Sequence, residues 1–87
     1  MNFTIKYHYD VKKDLKKISK KNQQFIKRAI ETRLAIDPVF FWKPLQYSLS
    51  GCRSMRVGDY RIIFQVEMKN IKVLIIKIGH RREIYKG

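Results

Sequence analysis

RSMRVGDYRIIFQVE (53–67), followed by IKVLIIKIGHRREIYKG (71–87), decides the fold. Gly58-Asp59 sits between two runs rich in β-branched and aromatic residues, the signature of a two-residue hairpin turn. With that turn, Val57 faces Tyr60, Arg56 faces Arg61 and Met55 faces Ile62. Side chains alternate along a strand, so Met55, Val57, Tyr60, Ile62 and Phe64 share one face. Ser54, Arg56 and Arg61 fall on the other. Met68-Lys69-Asn70 supplies a second turn, and 71–79 reads as a strongly apolar central strand.

Working outward, FTIKY (3–7) alternates and predicts a further strand. Asp10 is placed to cap a helix whose buried stripe is Val11, Leu15 and Ile18. Asn22 is a candidate second cap, before a longer helix with Phe25, Ile26, Ala29, Ile30 and Leu34 on its apolar face. Asp37-Pro38 ends that helix, because the residue before a proline is pushed out of the helical region. Residues 38–51 read as irregular, with Phe40, Phe41, Trp42, Leu45 and Leu49 covering an edge of the core. The aromatic trio has a second reading as a surface on which bases stack. The order β-α-α-β-β-β predicts one α+β domain over residues 1–87: an antiparallel sheet covered on one face by two N-terminal helices.

Composition narrows the partners. Twenty Lys and Arg against seven Asp and Glu leave a net charge of +13 on 87 residues. That excess repels itself and attracts polyanions, which points to nucleic acid or an acidic protein. No apolar run approaches the roughly 18 residues of a spanning helix, and the N-terminus has no secretory pattern, so no membrane partner is expected. A single cysteine, Cys52, forms no internal disulfide, which fits a reduced, cytoplasmic protein. His8 and His80 lack partners at ligand spacing, so neither a metal site nor a cofactor is expected.

Several residues are candidates for chemistry. Arg56 and Arg61, opposed across the hairpin, repel each other unless an anion sits between them; either they splay into water or they seat a phosphate. In GHRREIY (79–85), Arg81 is suited to gripping phosphate as a fork, with Arg82 beside it. Tyr85 either stacks on a base or packs its ring on the core edge. His80 belongs to the residue type whose free side chain titrates nearest neutrality, and at a strand end it is otherwise a structural or solvent-exposed histidine. Lys12, Lys16 and Lys20 form one row of the first helix, and Lys13, Lys17 and Lys21 the next. The rows read as a solvated face or as a track for nucleic-acid backbone.

KPL (43–45) with LSG (49–51), MRVGDYRIIF (55–64), VLIIKIGHR (73–81) and RREIY (81–85) together resemble the RelE/ParE toxin superfamily, over nearly the whole chain. The resemblance implies a type II toxin that is neutralised by an acidic antitoxin and that binds operator DNA only as the toxin–antitoxin complex. For the RelE-like branch it implies a ribosome-dependent endoribonuclease, acting on mRNA on the ribosome with contacts to rRNA. For the ParE-like branch it implies a DNA gyrase inhibitor without RNase activity. A non-catalytic nucleic-acid or ribosome-binding module is a third reading. On the RelE-like pattern, Arg61 is the phosphate-stabilising arginine, Arg81 the leaving-group acid or charge neutraliser, and Tyr85 the tyrosine that stacks on the substrate base. Lysines often stand in this family where Cys52 and Ser54 stand here. This chain has Arg53 and Arg56 nearby instead, and arginine is a poor base. His80 is then the candidate for proton transfer.

Overall fold

The structure, a computed structural model, describes residues 2–38 and 51–83, with the backbone of 43–44. Strand β1 (Thr4–Tyr7) leads into helix α1 (Val11–Lys16) and helix α2 (Lys20–Ala29), which runs on into a π-helical turn, Ile30–Leu34. Strands β2 (Lys43–Pro44), β3 (Arg53–Val57), β4 (Tyr60–Glu67) and β5 (Lys72–His80) follow. They form one five-stranded sheet in the order β1-β5-β4-β3-β2. Neighbouring strands run antiparallel except β1, which lies parallel to β5. The predicted α+β order is present, with two refinements. The chain returns from β1 through both helices, so β1 joins β5 in the parallel sense, and a two-residue strand opposite Arg53 and Ser54 lies within the stretch read as irregular. The aromatic cluster at 40–42, with Leu45 and Leu49, lies outside the described residues, as does Tyr85.

The core forms between the helices and one sheet face. Val11, Ile18, Ile26, Ala29, Ile30 and Leu34 pack against Met55, Val57, Ile62, Phe64, Val73, Ile75 and Ile78. Each fully buried side chain of this size contributes about 1.5–3 kcal/mol relative to exposure. Phe25, predicted for the apolar face of α2, is exposed instead, as the core stripe of that helix runs through Ile26 and Ala29. The hairpin register is as read from the sequence, with Arg56 opposite Arg61 and Val57 opposite Tyr60. Gly58 takes a positive φ of 58° at the first central position of the turn, as a type II′ turn requires.

The helical layer differs at one point. Helix α1 stops at Lys16, and Ser19 caps α2, its hydroxyl accepting from the Asn22 backbone N–H at 3.3 Å. Asn22 is therefore inside α2 and not its cap. Gln23 closes the break, donating to the Leu15 and Ile18 carbonyls at 2.7 and 2.8 Å. The lysine rows are consequently not continuous along one helix: Lys20 and Lys21 belong to α2.

Candidate functional site

The hairpin places Arg56 and Arg61 side by side on the sheet face away from the helices. The Arg56 Nε donates to the Gly58 carbonyl at 3.2 Å, and the Arg61 Nη1 donates to the Ser54 Oγ at 3.4 Å. Ser54 is buried beside them. Next to this cluster lies a small apolar patch of Cys52 and Ile63, with Ile76 packed on it. The two positions where the resembled family often carries lysine are thus on the right face, but they hold small buried side chains.

A bulge adds a cation that strand alternation does not foresee. Phe64 pairs with Ile75 but Ile63 pairs with Lys77, so Ile76 is an extra residue in β5. Strict period two would send Lys77 into the core with Val73 and Ile75. The bulge resets the alternation and puts Lys77 opposite Ile63, on the Arg61 face. Sequence reasoning missed Lys77. The available signal was a charge at a position that alternation assigns to the core, a conflict that a bulge resolves.

Arg81 stands at the same end of the sheet, just beyond β5. Its backbone N–H donates to the Asp59 carbonyl at 2.8 Å, and its Nε lies 3.9 Å from the Asp59 carboxylate. Both side chains are well exposed, so the ion pair is weak and easily exchanged for a phosphate. Among the described residues no carboxylate pairs with Arg56, Arg61 or Lys77.

The structure separates the remaining candidates from this face. His80 pairs with Tyr60 in the register and meets its ring edge-on at 5.9 Å between centroids. Tyr60 packs on the core and its hydroxyl accepts from Asn22 of α2 at 3.5 Å. His80 is therefore on the helix side, and its Nδ1 accepts from the Arg82 backbone N–H at 3.2 Å. Arg53 pairs with Phe64, which places it on the helix-side face as well. Lys12, Lys13, Lys16, Lys17 and Lys20 are exposed on the helical layer, with the sheet between them and Arg61. Arg82 is exposed in the turn after β5. Among the described residues no group of histidine, cysteine and acidic side chains is arranged to hold a metal. None of the described helices is long and apolar enough to cross a membrane.

A sheet face carrying arginines, with two helices packed on the opposite face, makes the chain a small basic α+β domain. The family model for the ParE toxin of the type II toxin–antitoxin system parDE matches residues 5–85. Toxin RelG of Mycobacterium tuberculosis is 27% identical over 86 residues, spanning 99% of each chain. The toxin–antitoxin complex RelBE2 of the same organism superposes with a TM-score of 0.87 at 24% identity, covering 95% of each chain. The archaeal RelE-RelB complex of Pyrococcus horikoshii superposes at 0.73 with 25% identity, over 95% of this chain and 99% of its own. The chain belongs to the RelE/ParE superfamily of type II toxins.

Proposed function

We propose that the protein is an antitoxin-controlled endoribonuclease that cleaves mRNA on the ribosome, in the cytoplasm. The observation that carries this reading is the Arg56–Arg61 pair, held in register on the sheet face away from the helices, with no carboxylate paired to either among the described residues. A shared anion relieves the repulsion within such a pair, and a phosphodiester fits it. In the reaction the 2′-oxygen forms a bond to phosphorus while the bond from phosphorus to the 5′-oxygen breaks. The products are a 2′,3′-cyclic phosphate and a 5′-hydroxyl; one proton leaves the 2′-hydroxyl and one reaches the 5′-oxygen. Arg61 stabilises the charge that gathers on the phosphate oxygens. Arg81 releases Asp59 and neutralises the leaving oxygen, and Tyr85 stacks on the neighbouring base. His80, on the other face, is not in position to take the proton, which leaves water or the RNA itself as the acceptor.

Relatives that carry the RelE name and are seen with RelB support both the toxin reading and an antitoxin as partner. A partner of that sign would offset the +13 charge and stabilise the fold in a salt-sensitive way. The match to the ParE model, with the small residues at Cys52 and Ser54, favours a second reading as a gyrase inhibitor.

Mapping of mRNA 5′ ends after brief induction separates the two. Cuts within translated codons, lowered about 10²- to 10³-fold by Arg61→Ala, are the expected result. Growth arrest with intact messages and altered DNA supercoiling would replace the nuclease with the gyrase reading.

A further inference from the structure

Lys77 is the cation that the bulge brings to the Arg61 face, beside Arg61 itself. Arg61 on β4 is opposite Arg56 on one side and Gly79 on the other. Two residues back along each neighbour stand Ser54 and Lys77, both opposite Ile63. Ser54 and Lys77 are thus mirror-image diagonal neighbours of Arg61, within the roughly 7–8 Å that long side chains span. Ser54 already bonds Arg61. Gly79 has no side chain to stand between Arg61 and Lys77.

The placement of Lys77 depends on the bulge alone. With unbroken alternation along β5, the ammonium would be directed into the core with Val73 and Ile75. Bulges recur beside active sites, where they shift the alternation and so re-aim side chains. Lys77 is half-buried, with no carboxylate partner among the described residues. The apolar patch of Cys52, Ile63 and Ile76 beside it lowers the local polarity, which strengthens attraction to an incoming anion.

We propose that Lys77 contacts the scissile phosphate together with Arg61, so that the two side chains grip different non-bridging oxygens from opposite sides of β4. This inference rests on the nuclease reading and assigns it a catalytic residue. Lys77 takes no part in bond making; its charge offsets the negative charge that builds on the phosphate as the 2′-oxygen attacks.

The test is single-turnover cleavage of a message on programmed ribosomes by wild type, Lys77→Met, Lys77→Gln and Lys77→Arg. Lys69→Met, a neutralised lysine in the β4–β5 turn, is the control. Lys77→Met and Lys77→Gln are expected to slow cleavage about 10²-fold, at an unchanged half-saturating toxin concentration and an unchanged melting temperature. Lys77→Arg is expected to stay within about tenfold of wild type, and Lys69→Met to match it. Cleavage by Lys77→Gln at the wild-type rate, with Arg61→Ala inactive, overturns the assignment and leaves the nuclease reading standing. Loss of activity in Lys77→Arg equal to that in Lys77→Met also overturns it, since shape and not charge would then matter. Absence of cleavage by the wild type removes the nuclease reading, and this assignment with it.

Discussion

Arg56→Gln is expected to stabilise the free protein, because the fold holds Arg56 and Arg61 at opposed positions with no carboxylate paired to either among the described residues. A like-charged pair directly across two strands costs about 0.5 kcal/mol at low ionic strength. Unfolding entropy of about 2.1 cal/mol/K per residue, over 87 residues, turns this into a rise in melting temperature of about 3 °C. The Gln variant also loses the Arg56 bond to the Gly58 carbonyl, so the single substitution mixes two effects. A double-mutant cycle with Arg61→Gln removes that ambiguity, since the lost bond is common to both backgrounds. The gain from Arg56→Gln is expected to be about 0.5 kcal/mol larger when Arg61 is present than when it is Gln. The difference should vanish in 1 M salt, where the screening length is about 3 Å. Urea denaturation at 20 mM and 1 M salt gives all the required values. Adding an uncleavable RNA oligonucleotide should reverse the order, raising the stability of wild type above that of Arg56→Gln. A coupling of zero at low salt, or one indifferent to salt, would refute the claim that the two guanidinium groups share one field.

Two further outcomes follow from burial and titration. Met55 is fully buried on the helix-side face, so Met55→Ala should cost about 2–5 kcal/mol, read as a lower urea midpoint at unchanged slope. The Tyr7 phenol is pushed above its usual pKa, first by burial and then by the Glu31 carboxylate. Its folded value exceeds its unfolded value, so the neutral form is favoured in the native state. Its contribution is therefore whole below about pH 10 and is lost as pH climbs from there through the folded value. Melting temperatures at pH 9 and 11 should show a smaller fall for Tyr7→Phe than for wild type.

A large share of this protein was legible in the residues. Gly58-Asp59 between alternating strands fixes the hairpin, and with it the opposition of Arg56 to Arg61 and the buried set of Met55, Val57, Ile62 and Phe64. Those features are local: a two-residue turn admits one register, and period two then assigns the faces. The helix break was less legible, because Ser19 and Asn22 are both acceptable caps and only Ser19 accepts the orphan N–H. Strand ends are harder still. His80 follows Gly79 in sequence and reads as a neighbour of Arg61, yet its register partner Tyr60 commits it to the opposite face.

Sequence alone thus determined the element order, the basic charge, the hairpin register and the family. Tertiary structure decided that β1 joins β5 in parallel, that His80 turns away from the arginine pair, and that Lys77 turns toward it. For Lys77 and His80 the physical reason is the bulge at Ile76. One extra residue flips every later side chain of β5 to the other face, and its position shows only in the pairing of β5 with β4 across the sheet.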